Sequence, residues 1–165
     1  MPHHPEPRWL DEDQQQVWSA LLALIMRLPG ALDAQLQRDS GLSSFEYHVL
    51  AGLSMAPGRT LRMSVLARFA EGSLPRLSQV VARLEKRGLI RRRPDPDDGR
   101  FTLATLSEEG WEVVVAAAPG HVEQVRRVVF DPLTKAQQRQ LRAIAGRIVH
   151  AVDPDAPGAD AIIGR

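Results

Sequence analysis

The most constraining feature of this chain is the stretch from Ser73 to Ser107, where a helical pattern precedes two strand-like runs joined by a turn. Its first part has apolar residues at three- and four-residue steps, namely Leu77, Val80, Val81 and Leu84. This spacing predicts an amphipathic helix with one buried face. The opposite face carries mainly long polar and cationic side chains, which suits the major groove of DNA.

A β-hairpin is expected directly after this helix. Residues 89–93 and 101–106 have strand-like composition, and the segment 94–99 between them combines proline, aspartate and glycine. Such a segment is typical of a tight turn. A recognition helix followed by a hairpin wing is therefore predicted.

Positive charge is concentrated in the same region. Residues 73–100 contain eight arginine or lysine and four acidic residues, a local net charge of +4, whereas the rest of the chain carries −3. A concentrated field attracts phosphate better than the same charge spread over a surface. An ordinary solvated amphipathic helix is the alternative, but three consecutive arginines beside a turn are costly unless a partner neutralises them.

Upstream of this helix, a helix-turn-helix is expected. Ser43 and Glu46 have the spacing of a capping box, which predicts a helix over residues 44–54. A helix over residues 61–70 should follow, and its inward side chains are expected to be Leu61, Val65, Leu66 and Phe69. The turn at Glu71-Gly72 then leads to Ser73 as the N-cap of the recognition helix.

Long helical patterns flank this unit on both sides. Residues 9–38 have an apolar face too long for a small domain to bury, with a kink or break expected at Pro29-Gly30. A helix capped by Ser107 should reach about Val129 with a disturbance at Pro119-Gly120, and Thr134 should cap a last helix. One side of that last helix carries Leu141, Ile144, Ala145, Ile148 and Val152. A homodimer is expected, because such faces usually pair with a second copy.

The predicted fold class is mainly α (α+β), a winged helix-turn-helix whose long flanking helices form a dimerisation domain. The expected organisation is a flexible N-terminus at 1–8, a dimerisation helix at 9–38, a DNA-binding domain at 39–106, dimerisation helices at 107–152 and a disordered tail at 153–165. The chain's 165 residues suit one domain, alone or with an appended helical part.

Composition excludes several classes of function. The chain has no cysteine, so it can form neither disulfides nor thiolate metal sites. No apolar run approaches the roughly 18 residues of a membrane span, and the N-terminal MPHHPEPRW lacks the apolar stretch of a secretory signal. A cytoplasmic protein without a membrane partner, metal or cofactor is expected. An enzyme is disfavoured, because the sequence has no phosphate-binding glycine loop or nucleophile elbow.

Two segments, LRMSVLARFAEGSLPRLSQVVARLEKRGLIRR from Leu61 to Arg92 and DPDDGRFTLATLSEEG from Asp95 to Gly110, resemble the MarR family of winged helix-turn-helix transcriptional regulators. The order of the flanking helices is similar as well. The resemblance implies a triangular homodimer with both termini in a helical interface. It also implies that Arg100 enters the minor groove while Asp98 orients it, although a salt bridge that only stiffens the hairpin is the alternative.

Ten residues are candidates for DNA contact. On the recognition helix they are Ser73, Arg76, Ser78, Gln79 and Arg83, and in the wing they are Arg91, Arg92, Arg93, Asp98 and Arg100. Arginine can pair with guanine and glutamine with adenine, each worth roughly 1–3 kcal/mol of discrimination. The serines and the triple arginine suit phosphates, and Arg62 and Ser64 are weaker phosphate candidates. Pro75 differs from the helix-forming residue that is more common at this position in the family.

The resemblance further implies a small anionic or aromatic effector that binds between the dimer helices and the DNA-reading part. Candidate contacts are Trp18, Met26, Arg27, Tyr47, His48, Trp111 and His121. Aromatic and methionine side chains at helical spacing are more often core residues.

The expected function is that of a repressor which binds a pseudo-palindromic double-stranded DNA operator, with half-sites ~34–36 Å apart. The alternative is a winged-helix docking or dimerisation module without specific DNA binding, against which the local charge argues.

Overall fold

The computed structural model describes residues 7–154. The helices are α1 Glu12–Ser40, α2 Ser44–Met55, α3 Met63–Phe69, α4 Leu74–Lys86, α5 Glu108–Val125 and α6 Lys135–Val152. The strands are β1 Thr60–Arg62, β2 Ile90–Pro94 and β3 Thr102–Leu106, with a 3-10 turn at Pro57–Arg59 and a π-helical turn at Arg126–Phe130. The predicted mainly helical winged fold is confirmed. Most of the expected flexible N-terminus (1–8) and disordered tail (153–165) lies outside the described residues.

The core lies between α2, α3, α4 and the sheet, and Leu36 of α1 and Val114 and Ala117 of α5 extend it. The predicted inward row of α4 is confirmed, because Leu77, Val80, Val81 and Leu84 are all buried. The predicted inward face of α3 is partly wrong: Leu66 is buried, but Val65 is 47% exposed. The helix begins at Met63 and not at residue 61, so its inward row is Met63, Leu66 and Ala67, and its C-cap Ala70 is buried as well.

The sheet is antiparallel with the order β1-β3-β2. Strand β1, which pairs Thr60 with Thr105, occupies residues that the sequence had predicted as the start of α3. The hydroxyl oxygens of these two threonines are 2.9 Å apart. A strand of three residues is too short to show a period of two, which explains why Leu61 was wrongly placed in a helix.

Two prolines lie inside continuous helices. Helix α1 begins at a capping box formed by Asp11 and Gln14, passes through Pro29 and ends at Gly41 in the left-handed conformation. Helix α5 likewise passes through Pro119. Neither helix is interrupted at its proline, so the predicted break at Pro29 is not seen, while the kink given as its alternative and the disturbance at Pro119 stay predictions. Both prolines are exposed, so water can satisfy the carbonyl groups that lose their backbone partners.

The outer helices expose their apolar faces. In α1 only Gln35 and Leu36 are buried, and within Lys135–Val152 no residue of α6 is buried. The exposed apolar side chains of these helices include Val17, Trp18, Leu24, Ile25, Met26, Leu141, Ile144, Ile148 and Val152. Rows of exposed apolar side chains on one helix face are typical of surfaces that pack against another protein.

Helix α1 is also long and apolar enough to cross a membrane, judged by length and composition alone. The expectation that the chain has no such segment was therefore wrong. Helices that pack against other protein pass the same test, and α1 carries charged residues at both ends, with Glu12 and Asp13 in its first turn and Arg38 in its last.

Candidate nucleic-acid interface

The recognition helix α4 begins at Ser73, whose hydroxyl oxygen accepts a hydrogen bond from the backbone N–H of Arg76 at 3.4 Å. Pro75 lies in the first turn, where a missing backbone donor costs little. Of the five candidates on this helix, Ser73, Arg76, Gln79 and Arg83 are exposed and Ser78 is half-buried. Because the apolar row of α4 is buried, its polar row faces solvent, as the sequence pattern predicted.

The guanidinium group of Arg76 packs against an aromatic ring. Its guanidinium carbon lies 4.2 Å from the centre of the Phe45 ring in α2. A side chain Cβ at Gly72 would lie 2.6 Å from the same ring. Glycine at this turn thus lets Phe45 reach Arg76, and the cation–π contact holds the arginine at the leading end of the helix.

Arg83 interacts with α2 on the same side. Its Nε lies 3.7 Å from Oε1 of Glu46, while Oε2 of Glu46 accepts the backbone N–H of Ser43 at 2.9 Å. One carboxylate therefore caps α2 and attracts a cation of the recognition helix.

The three consecutive arginines of β2 have different surroundings. Arg92 donates to Glu85 of α4 through Nε at 2.9 Å and through Nη2 at 2.6 Å. These hydrogen bonds lower the pKa of Glu85 below its usual value. Arg91 and Arg93 are exposed, and side chains alternate along a strand, so these two lie on the face opposite Arg92.

The wing carries the pair expected from the Asp-x-Arg pattern. Arg100 donates to Asp98 through Nε at 2.9 Å and Nη2 at 2.6 Å. Arg100 is 84% exposed, and its hydrogen bonds lower the pKa of Asp98. This fork fixes the direction of a solvent-exposed guanidinium. The hydrogen bonds between Arg100 and Asp98 are compatible with both alternatives, because they can stiffen the hairpin and also orient the arginine.

A second ion pair, which no sequence pattern predicted, fastens the base of the wing. Asp95 is only 5% exposed and accepts hydrogen bonds from the backbone N–H of Asp97 at 3.0 Å and from Nε of Arg62 at 2.8 Å. The backbone hydrogen bond and the arginine together lower the pKa of Asp95. Arg62 also lies 4.6 Å from the centre of the Phe101 ring. Arg62 had been considered only as a weak phosphate candidate.

A depression of about 370 Å³ separates the recognition helix from the wing. It is lined by Met63, Ser64, Leu74, Ser78, Arg92, Arg100, Phe101 and Thr102. The lining residues come from α3, α4 and the wing, so these elements share one surface. Apolar groups lie beside cationic and hydroxyl groups on this surface.

Three of the seven effector candidates come together. The ring centres of Tyr47 and His121 are 4.6 Å apart, and those of His48 and His121 are 6.3 Å apart. Burial lowers the pKa of both histidines, and for His121 the neighbouring His48 adds to this effect. Nδ1 of His121 is buried without a hydrogen-bond partner in the described part of the chain.

The other four candidates have different environments. Trp111 lies 4.2 Å from the guanidinium of Arg59, which also pairs with Glu108 at 2.9 Å. Trp18 lines an apolar groove along α1 with Leu10, Val17 and Leu21. Met26 and Arg27 are exposed on α1.

A tight turn, an exposed cationic helix and a β-hairpin with an oriented arginine define the winged helix-turn-helix class of DNA-binding proteins. The sequence profile of the MarR family matches residues 40–100. The chain belongs to the MarR family of transcriptional regulators.

Solved structures support this membership over nearly the whole chain. A MarR family regulator from Streptomyces coelicolor, Sco3205, was crystallised in complex with DNA. It is 42% identical with a TM-score of 0.87, and the match covers 98% of this chain and 100% of that one. AbsC from the same organism is 33% identical with a TM-score of 0.85, over 90% of this chain and 100% of its own.

Curated relatives match over a shorter region. The HTH-type transcriptional regulator YdcH of Bacillus subtilis is 37% identical over 83 residues, which cover 50% of this chain and 56% of that protein. The match to this relative therefore spans little more than half of its length.

Proposed function

We propose that this protein is a homodimeric transcriptional repressor that binds a pseudo-palindromic operator. The observation that most supports this proposal is the combination of an exposed polar face on α4 with the oriented Arg100 at the wing. The DNA bound by the similar Sco3205 protein in its crystals points in the same direction.

In the proposed complex, α4 lies in the major groove and the wing reaches the adjacent minor groove. Arg76 and Gln79 are the proposed base contacts, and Ser73, Ser78 and Arg83 contact bases or phosphates. Arg91 and Arg93 bind phosphates. Arg100 enters the minor groove, where a narrow A·T-rich segment deepens the negative potential.

The exposed apolar faces of α1 and α6 support the homodimer. Two copies related by a two-fold axis would bury the same faces on both subunits. That symmetry would place two recognition helices about one helical turn, ~34–36 Å, apart on the DNA. The partner is then an operator with matching symmetry, and the site of action is the cytoplasm.

Release by a small anionic or aromatic molecule is a further part of the proposal. It is supported by the cluster of Tyr47, His48 and His121, which combines aromatic faces with a buried ring nitrogen that has no hydrogen-bond partner among the described residues. The other four candidates would join this site if a second subunit brings them closer to the cluster. They are Trp18, Met26, Arg27 and Trp111.

The test is fluorescence anisotropy of the purified protein with its own upstream intergenic DNA and with a scrambled duplex, at two salt concentrations. Specific, salt-dependent binding is expected, and Arg76→Ala should weaken it. Arg139→Ala, which removes an exposed arginine of α6, is the matched control and should bind like the wild type. Weak, equal and salt-insensitive binding to both duplexes would favour a protein-docking module instead.

A further inference from the structure

Leu74 is the first residue of α4 and is 48% exposed. Leu74 lies in one apolar row with Leu77 and Val81, at helical spacing. Leu77 and Val81 are buried, whereas Leu74 at the start of the row is exposed. The N-terminal residues of a recognition helix are the ones that contact base edges in a helix-turn-helix complex. A large apolar side chain is therefore exposed at the end of the helix that contacts base edges in this class of complex.

The polar neighbours of Leu74 already have partners within the protein. The Ser73 hydroxyl caps the helix, and the Arg76 guanidinium rests on the Phe45 ring. Leu74 itself lines the depression between the helix and the wing, beside Met63 and Phe101. This end of the interface thus offers an apolar contact between polar groups.

Other exposed apolar residues near this surface are less well placed. Phe101 lies in the wing region, and its ring is covered by the Arg62 guanidinium. Val65 is about as exposed as Leu74 but lies on α3, the helix that crosses the DNA backbone in this class of complex. Leu74 alone among these three combines exposure with a place on the recognition helix.

The C5-methyl group of thymine is the apolar group that the base pairs present in the major groove. We propose that Leu74 contacts a thymine methyl group in each half-site and so contributes to operator specificity. This inference rests on the DNA-binding function proposed above. An apolar residue, and not one of the polar candidates, would then recognise thymine in the operator.

Thymine can be replaced by uracil without changing any Watson–Crick hydrogen bond. The upstream duplex is prepared in two forms, one with thymine and one in which deoxyuridine replaces every thymidine, and binding is measured by anisotropy. Loss of one buried methyl contact per half-site should weaken wild-type binding by at least about fourfold. Leu74→Ala should bind the thymine duplex more weakly than the wild type and should not distinguish the two duplexes.

Two further variants separate a methyl contact from other effects. Leu74→Met keeps an apolar side chain and should retain a preference for thymine, while Val65→Ala should behave as the wild type does. An equal response of wild type and Leu74→Ala to uracil would show that altered DNA shape causes the effect and would overturn the inference. Wild-type binding that ignores uracil would overturn it as well.

Failure of the proposed function gives a different result. If the wild type does not prefer its thymine-containing upstream DNA over a scrambled duplex, both the function and this inference are wrong. If it has that preference but no response to uracil, only the role of Leu74 is wrong. Thermal unfolding of each variant confirms that the protein measured is folded.

Discussion

Arg92 of the wing and Glu85 of the recognition helix are joined by three hydrogen bonds. Besides the two side-chain bonds, the backbone N–H of Arg92 donates to Oε1 of Glu85 at 2.9 Å. One carboxylate thus holds both the backbone and the guanidinium of the first wing strand. The pair connects helix and wing, and it neutralises one of the three consecutive arginines of β2.

Glu85→Gln should therefore release the charge of Arg92 toward DNA. We expect tighter binding and a salt dependence steeper by about one phosphate contact, since each neutralised phosphate releases counterions. The loss of stability should be small, about 0.5 kcal/mol, because the pair is partly exposed. Anisotropy over a salt series measures both effects. Glu12→Gln at the start of α1 is the control, and an unchanged salt slope in Glu85→Gln would contradict the prediction.

Arg100→Ala should weaken operator binding by about tenfold, equivalent to about 1.4 kcal/mol, because the proposed minor-groove contact loses a charged hydrogen-bond donor. The unfolding midpoint should not change, since Arg100 is 84% exposed. Asp98→Asn retains the arginine and should have a smaller effect on binding. Equal losses in both variants would indicate that the pair acts only by stiffening the hairpin.

Acidification should loosen the wing through Asp95. Its folded-state pKa is lower than the ordinary value of 3.8, so the unfolded chain takes up the proton first as the pH falls. The stabilisation is complete above pH 3.8 and is lost as the pH drops from there through the lower folded-state pKa. Asp95→Asn should be less stable than the wild type at pH 6, and the difference should shrink toward pH 3. Urea unfolding at both pH values measures this, and a constant difference would contradict it.

Gly110→Ala should destabilise the fold by about 3 kcal/mol or more, the upper range for overpacking. A Cβ at this position would lie 2.2 Å from the carbonyl oxygen of Leu89, and a backbone atom cannot move away as a side chain can. Gly99→Ala is the control, because no atom lies within 4 Å of a Cβ built there. Thermal unfolding of the two variants compares them directly. Equal midpoints would show that α5 can shift away from β2 at little cost.

Local sequence patterns were sufficient to predict the parts of the fold in which the contacting residues belong to one helix or one turn. The buried row of α4, from Leu77 to Leu84, follows from helical periodicity. The cap at Ser73 and the pair of Asp98 with Arg100 depend on residues two or three positions apart. Such short-range relations can be recognised from composition and spacing.

Contacts between distant residues could not be predicted in the same way. Arg62 and Asp95 are 33 positions apart and meet because β1 and β2 both pair with β3. The role of Arg92 depends on the register in which β2 pairs with β3, which places Arg92 opposite Ala104. Neither contact leaves a periodic signal in the sequence. The continuity of α1 and α5 through their prolines has another cause, since a proline disrupts a helix less where water can reach the carbonyl groups left without partners.

The ring of Phe45 beneath Arg76 has a consequence for the entropy of DNA binding. A freely rotating arginine loses up to about 2 kcal/mol of rotamer freedom when it is fixed in one geometry. Because Phe45 already restricts Arg76 in the free protein, part of this loss occurs during folding and not during association. The side chain of Arg76 is therefore ordered before its proposed contact with DNA forms.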